Sequence, residues 1–129
     1  MTKRRVVITG MGMLSPVGNS VESSWEAIQA GRSGIGMIDR FDASAYNTRI
    51  GGAIRDLDME SYLSPKDARK LDAFIHYGLI AAQQAVDSSG LESFEKLDRE
   101  RVGIAIGSGI GGLEYIEKSV LTMDKSGPR

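Results

Sequence analysis

Two glycine-rich stretches, each directly after a short apolar run, constrain the fold of this chain more than any other feature of its sequence. The first is VVITGMGMLSPVG at residues 6–18, and the second is VGIAIGSGIGG at residues 102–112. A continuous, β-branched apolar run is typical of a strand buried on both faces. Glycines at its end suit a tight turn into a helix, because glycine reaches backbone angles that other residues avoid. The pattern predicts buried strands at residues 5–9 and 102–106.

Three helices are predicted between and after these strands. The clearest begins at Ser64, because serine is a good N-cap and Pro65 suits the first helical position. Apolar residues then recur every three or four positions, which predicts one core-facing stripe, and Gly90 is expected to end the helix. The stripe consists of Ala68, Leu71, Ile75, Leu79, Ala82 and Val86. The other helices are predicted over residues 21–30, capped by Asn19 or Ser20, and over residues 113–123.

The order of these elements predicts an α/β layered fold with the two strands side by side in a parallel sheet. Residues 35–46 are expected to be irregular, and residues 49–54 to form a weak edge strand that Gly51 and Gly52 interrupt. Parallel sheets are normally multi-stranded and covered on both faces, so two strands cannot complete one. We therefore expect this sequence to be part of a larger fold.

Composition narrows the possible functions. The formal net charge is -1, which gives no general reason to bind nucleic acid or an anionic membrane. The sequence has no cysteine, so disulfides and thiolate metal sites are excluded, and His76 alone cannot form a histidine cluster. It shows no secretory signal and no segment of membrane-spanning length. We expect a cytoplasmic protein that holds no metal or other cofactor.

The G-x-G-x-x-G pattern occurs between a predicted strand and a predicted helix, at Gly107, Gly109 and Gly112. This pattern raises dinucleotide binding as an alternative function. That function also needs an acidic residue at the end of the next strand to hold the ribose. Asp124 comes too early and lies in a helical stretch. The N-terminal stretch fails the pattern too, since Ser15 stands where the third glycine belongs. Close packing of the backbone at a strand-to-helix turn is the interpretation that we favour for both stretches.

No catalytic group can be identified from the residues themselves. His76 has no nucleophile or acid partner at a predictable position, so we interpret it as a packed or surface histidine. Ser108 lacks the G-x-S-x-G context of a nucleophile elbow, and Ser15 and Ser88 are equally unsupported.

A compact group of cations stands at the start of the long predicted helix. Spacings of three and four place Lys66 beside both Arg69 and Lys70 on a helix surface. Such a group is usually a solvated face. Cations at a helix start oppose the helix dipole, however, and an acidic protein partner would give a reason for them.

Four segments, in order along the chain, resemble β-ketoacyl-[acyl-carrier-protein] synthases, most of all the type II elongating enzymes. They are RRVVITGMGMLSPVG at the start, DAFIHYGL on the long predicted helix, GSGIGGL after the second predicted strand, and the closing GPR. The resemblance implies a thiolase-like α/β fold, layered α-β-α-β-α, in a homodimer. It also implies that residues 1–129 are a partial domain, the first part of the N-terminal half of the enzyme.

The family reaction is a decarboxylating condensation of an acyl thioester with malonyl-ACP in fatty-acid elongation. A family cysteine carries the acyl chain as a thioester, and two histidines assist decarboxylation and stabilise the thioester oxyanion. This sequence has no cysteine, and His76 matches neither family histidine. The resemblance therefore assigns no catalytic residue here, and the chain alone is expected to be inactive.

The resemblance does assign binding residues. Ile110, in the GSGIGG loop, matches the family isoleucine that lines the acyl-chain pocket near the dimer interface. The basic patch that receives the acidic acyl carrier protein is matched by Lys66, Arg69 and Lys70, and a further basic docking position is matched by Arg129.

Three hypotheses for the function of the chain remain. We prefer the first, that it is part of a condensing acyltransferase. The second is a catalytically silent module that binds acyl carrier protein, and the third is a nucleotide-binding βα module.

Overall fold

The computed structural model describes residues 3–95 and 97–128 of the chain. Four helices and one small sheet make up its regular structure within these ranges, and two short 3₁₀ turns at Leu91–Ser93 and Arg99–Arg101 separate the last two helices. The elements are α1 (Val21–Gln29), β1 (Ile35–Met37), β2 (Ile50–Gly52), α2 (Pro65–Ala68), α3 (Ala73–Ser89) and α4 (Leu113–Ser126). Among the described residues, no helix is long and apolar enough to cross a membrane.

Capping chemistry sets the ends of the helices much as the sequence predicts. Ser20 is the N-cap of α1, and its hydroxyl accepts from the backbone N–H of Ser23 in a reciprocal capping box. Gly90 ends α3 in the left-handed conformation, at φ 66°, which glycine adopts without steric cost. The last helix is longer than predicted, because α4 continues to Ser126 before Gly127 ends it.

The predicted helix over residues 64–90 is in fact two helices, α2 and α3. Ser64 and Pro65 begin α2 as predicted, but the chain turns at Arg69. Asp72 then takes an extended backbone conformation, and its side chain accepts from the N–H of Ala73 as the N-cap of α3. Aspartate competes for backbone N–H groups in this way, so a helix interior is an unfavourable place for it. The apolar periodicity continued across the break and concealed it.

The described residues contain one sheet, an antiparallel hairpin of β1 and β2. Ile35 pairs with Gly52 and Met37 with Ile50. The weak strand predicted at residues 49–54 is thus confirmed at its centre, but the prediction that Gly51 and Gly52 interrupt it is wrong, because both pair within the ladder. The prediction that residues 35–46 are irregular is wrong at β1. Three residues with glycine in the middle are too few to show a strand periodicity.

The strands predicted at residues 5–9 and 102–106 are not formed, and their predicted parallel pairing is therefore wrong for this structure. Val6 and Ile104 are 92% and 85% exposed. A parallel ladder is stabilised by apolar cover on both faces and by further strands. The described residues provide neither, so these apolar runs remain without a ladder.

The segment after the first apolar run packs along α3. Met11 exchanges hydrogen bonds with the Ser88 hydroxyl, and the N–H of Met13 donates to the Gln84 side chain at 3.0 Å. A β-carbon on Gly12 would overlap the Ala81 carbonyl oxygen. The predicted close packing of backbone is therefore confirmed for the first glycine-rich stretch, which lies against the helix itself.

The most deeply buried side chains lie on α1 and α3. Ile80 on α3 and Ser24 on α1 are fully buried, and Ala27 on α1 is almost as deep. Ile80 is absent from the predicted apolar stripe, while Leu79, which belongs to that stripe, is 42% exposed. The break between α2 and α3 changes the helical register, so residues aligned with Ala68 do not define the buried face.

Candidate functional site

The predicted basic patch lies on α2 and the turn that follows it. Lys66 is within α2, Arg69 is its C-cap, and Lys70 stands in the next turn. The N–H of Lys70 donates to the Asp67 carbonyl oxygen at 3.0 Å, which keeps the three cations within little more than one helical turn. All three side chains are exposed. The structure brings these residues together, although the helix that was expected to carry them ends at Ala68.

Within residues 3–95 and 97–128, the ion pair that the structure shows is between Arg55 and Asp39. Lys66, Arg69 and Lys70 are not part of it. The one carboxylate in their turn, that of Asp67, accepts from the Ser64 hydroxyl at 2.7 Å. The exposed cations therefore remain available to an acidic surface.

His76 holds the base of this patch in place. Its side chain is buried, and Nε2 lies 2.9 Å from the carbonyl oxygen of Ala68, the last residue of α2. A carbonyl oxygen only accepts hydrogen bonds, so Nε2 carries the proton and donates. The interpretation of His76 as a packed histidine is confirmed, and its role is to tie α2 to α3.

The second glycine-rich stretch forms an open loop before α4. The N–H of Gly111 donates to the Ser108 hydroxyl at 3.1 Å, and Gly111 has φ 77°, so residues 108–111 form a closed turn. Ile110 lies near its tip and is 72% exposed. A β-carbon on Gly107 or Gly109 would meet no atom within 4 Å. The close packing predicted for this stretch is therefore wrong at these two glycines.

An apolar groove of about 420 Å³ separates the start of this loop from α3. Phe74, Tyr77 and Leu79 line it from the helix, and Ile106 lines it from the other side. Ile106 also lies near Gly78, where a β-carbon would come within 3.8 Å of its side chain. Residues 106–112 therefore run along the N-terminal half of α3, the half that follows the basic patch.

A contact that the sequence analysis missed joins the loop to α3. The side chain of Asp72, the N-cap of α3, lies directly against Gly112, the N-cap of α4. An aspartate just before an apolar helix is a recognisable N-cap signal. The unbroken periodicity from Ser64 hid that signal here. Asp72 lies two positions after Lys70, and Gly112 lies two positions after Ile110.

The titratable groups with shifted pKa values lie elsewhere in the chain. A hydrogen bond from Arg55 lowers the pKa of Asp39, and the same bond raises the pKa of Arg55. Hydrogen bonds from Ser44 and Ser61 lower the pKa values of Asp42 and Asp58 respectively. Each is an exposed loop contact and marks no reactive centre.

Arg129, the further docking position, lies outside the described residues. Within the part of the chain that the structure describes, no group of three or more His, Asp or Glu side chains is placed to hold a metal ion.

The loop at residues 107–112 leads into α4, and Asp124 lies within that helix. A ribose-binding acid would stand at the end of a strand, so Asp124 is not placed for that role.

Comparison with known proteins defines the class to which this fold belongs. One similar solved structure is the AntDE:AntF complex, described as a type II PKS acyl-carrier protein in complex with its ketosynthase bound to the hexaketide. A chain of this complex superposes on the present chain with a TM-score of 0.70 at 32% sequence identity. It is matched over 98% of this chain and 33% of its own length. The ishigamide ketosynthase/chain length factor gives a TM-score of 0.74 at 26% identity, over 98% of this chain and 31% of that one. The predicted α/β fold of the thiolase-like ketosynthases is confirmed.

The sequence gives the family itself. Residues 3–129 match the family "Beta-ketoacyl synthase, N-terminal domain", and the chain belongs to this family. It is 57% identical, over 129 residues, to the 3-oxoacyl-[acyl-carrier-protein] synthase 2 of Vibrio harveyi. That similarity covers 100% of this chain and 31% of the Vibrio protein, so the chain spans about a third of the length of this relative.

Proposed function

We propose that this chain is the N-terminal part of a 3-oxoacyl-[acyl-carrier-protein] synthase. The complete enzyme would condense an acyl thioester with malonyl-ACP, with loss of carbon dioxide, in fatty-acid elongation. The observation that carries this proposal is the 57% identity to a protein of that name along the whole chain. We further propose that residues 1–129 are a partial domain, and that the enzyme works as a cytoplasmic homodimer.

In this proposal the described residues bind substrates and perform no bond-making step. The family's covalent step needs a thiolate nucleophile, and the sequence contains no cysteine. The described serine hydroxyls offer no substitute of the triad type, because none of them is hydrogen-bonded to a histidine. They bond to backbone groups, as Ser88 does with Met11, to other hydroxyls, or, at Ser61 and Ser64, to an aspartate. His76 is committed to Ala68.

Ile110 is proposed to line the acyl-chain pocket. Its exposed, apolar side chain stands on a turn that Gly111 and the Ser108 hydroxyl close, which supports a surface that is covered by substrate or by the rest of the enzyme. Isoleucine is stiff at its first side-chain torsion, so it can act as a wall of defined position.

The basic patch is proposed to receive acyl carrier protein, through Lys66, Arg69 and Lys70 together with Arg129. Three exposed cations in one turn, outside the ion pair that the described residues form, make a positive patch that fits an acidic partner. The AntDE:AntF structure contains an acyl-carrier protein with its ketosynthase, which supports this class of partner.

A catalytically silent module that binds acyl carrier protein is the second candidate. The absence of cysteine together with the exposed basic patch favours it, since both fit carrier binding without condensation. The two candidates differ in whether the chain functions joined to a segment that supplies a nucleophile.

The test uses the complete enzyme, which we define as this chain joined to the remaining two thirds that its own reading frame supplies. If the frame supplies none, the matching segment of the Vibrio harveyi protein replaces it. We expect the complete enzyme to condense acyl-ACP with malonyl-ACP, and the 129-residue chain to form no acyl adduct under denaturing mass spectrometry. Failure of the complete enzyme to condense any acyl thioester would reject the condensing function. A stoichiometric adduct on the chain alone would reject the purely binding role of these residues.

A further inference from the structure

Asp72 places one carboxylate at the N-terminal ends of two helices. Its Oδ1 accepts from the N–H of Ala73 at 2.6 Å, at the start of α3. Its other oxygen, Oδ2, lies against Gly112, where α4 begins without a side-chain cap. A negative charge near both positive helix ends is favourable, and this carboxylate faces both. Asp72 therefore links the two helices beyond its ordinary role as a cap.

Only glycine at position 112 allows this arrangement. A β-carbon there would overlap Asp72 Oδ2 and stand 2.9 Å from Asp72 Cγ and 3.3 Å from its Cβ. These three atoms are the nearest neighbours of that position. Gly112 has φ −95°, which any residue can adopt, so the fit to Asp72 is what requires glycine here.

Oδ2 is buried and accepts no hydrogen bond from a described residue. Leaving a buried acceptor unpaired costs free energy, so a carboxylate would not be expected here for helix capping alone. Serine caps a helix about as well as aspartate and would bury no second oxygen. Capping of α3 therefore does not explain the presence of Oδ2. This oxygen contacts Gly112, at the end of the second glycine-rich stretch.

The position of Gly112 determines that of Ile110. Gly111 lies against the ring of Phe74, where a β-carbon would stand 3.9 Å from Cζ, and its N–H bond to Ser108 closes the turn. The turn is thus a short, closed unit held at one end by α3. A displacement at Gly112 moves the side chain two residues before it.

We infer that Asp72 is a positioning residue for acyl-chain selection, acting through its contact with Gly112 on the turn that carries Ile110. This inference rests on the proposed function, because it takes Ile110 as a wall of the acyl pocket. Asp72 touches no substrate in this view. It sets how far Ile110 reaches into the space that the acyl chain occupies.

The experiment compares kcat/KM for octanoyl and tetradecanoyl thioesters in the complete enzyme. Asp72→Ser keeps an oxygen to cap α3 and removes Oδ2, so the fold is retained while the contact with Gly112 is lost. We expect the ratio of the two kcat/KM values to change by about tenfold, the size of a coupling between residues in contact. Gly112→Ala, which drives the same two groups apart, is expected to shift the ratio as well.

The double variant Asp72→Ser/Gly112→Ala separates positioning from a merely structural role. Because the severe overlap is with Oδ2, which Asp72→Ser removes, the double variant should shift the ratio little further than Asp72→Ser does alone. Asp98→Ser is the matched control, since Asp98 caps the turn Arg99–Arg101 by accepting from the N–H of Glu100 at 3.2 Å. It should leave the ratio unchanged, and Ile110→Phe should lower the rate for the long chain first.

The outcomes distinguish this inference from the proposed function. If the wild-type complete enzyme condenses neither thioester, the proposed function fails, and the role of Asp72 with it. If the wild-type enzyme is active, the inference alone is overturned by an unchanged ratio in Asp72→Ser, or by equal losses for both chains. Additive shifts in the double variant would also overturn it.

Discussion

Residues 5–90 and residues 102–128 each begin with the same sequence pattern, an apolar run that ends in glycines. The glycines of the two regions have different surroundings in the structure. In the first region, Gly10 and Gly12 press against the backbone of α3, and the serine and glutamine side chains of that helix bind the segment. In the second, Gly107 and Gly109 have no neighbour that a β-carbon would touch. The glycines permit close approach, but a helix surface has to be present for the approach to occur.

The helices of the two regions differ in the same way. Helix α3 buries Ile80 completely, whereas the apolar side chains of α4 are all more than half exposed. The spacing of an amphipathic helix is present in α4, at Leu113, Ile116 and Val120. Periodicity therefore shows which face of a helix is suited to burial, while the surrounding chain decides whether that face is buried. The proposed acyl-pocket residue lies in the open region and the basic patch on the packed one.

The largest expected effect separates the two helices. Ile80→Ala should lower the free energy of unfolding of the chain by about 2–5 kcal/mol, because it empties a fully buried site in α3. Ile116→Ala, the matched change on α4, should stay within about 0.5 kcal/mol, because Ile116 is 55% exposed. Urea unfolding followed by circular dichroism measures both. Similar losses at the two positions would show that α4 is packed in solution, and the contrast would be wrong.

The glycines give the next largest effect. Gly12→Ala should destabilise the chain by roughly 1–3 kcal/mol, since its β-carbon would overlap the Ala81 carbonyl oxygen and force the segment off α3. Gly109→Ala should be neutral or slightly stabilising, because it meets open space and alanine restricts the unfolded chain. The same unfolding measurement applies. A destabilising Gly109→Ala would mean that the second glycine-rich stretch is packed after all.

A kinetic effect is expected at the basic patch, on the surface of the packed region. Reversing the charges of Arg69 and Lys70 to glutamate in the complete enzyme should slow association with acyl carrier protein at low salt. The difference from wild type should shrink as salt screens the charges. Stability should barely change, since both side chains are exposed. Stopped-flow association across a salt series measures the effect, and Lys118→Glu on exposed α4 is the control. Wild-type association by the reversed variant at low salt would reduce the patch to a solvated face.

The smallest expected effect concerns the hairpin of the packed region. The hydrogen bond from Arg55 lowers the pKa of Asp39 below its ordinary value of 3.8. The ion pair therefore stabilises the folded chain above that value, and its contribution is lost as the pH falls through the lowered pKa. Both side chains are exposed, so the effect should be small. Asp39→Asn should be slightly less stable than wild type at neutral pH and equal to it in strong acid. A difference that persists in acid would have another cause.

Much of the local structure could be predicted because its causes lie within a few residues. Ser20, Ser64 and Gly90 set helix ends through their own hydrogen bonds or backbone angles, and the structure confirms all three. The break before Asp72 was missed because the apolar spacing continued across it. Hairpin β1–β2 was only half predicted, since a three-residue strand carries too little periodicity.

In the candidate site, too, the features with local causes could be predicted from the sequence. The cluster of Lys66, Arg69 and Lys70 follows from their spacing, because a turn keeps neighbouring residues together whether or not the helix continues. The ordered motifs were sufficient to indicate the family, and the match over residues 3–129 confirms it. Assignment of Ile110 and of the patch to particular ligands remains a proposal.

The sequence by itself determined the helix caps, the basic turn and the family, because these depend on neighbouring residues or on the order of motifs. Only the tertiary structure decided that Ile80 is buried and Ile116 is not, and that Asp72 meets Gly112, a residue forty positions further along the chain. Burial and long-range contact depend on which surfaces the folded chain brings together. No local pattern of residues carries that information, because the same apolar run and the same glycines suit both a packed and an open environment.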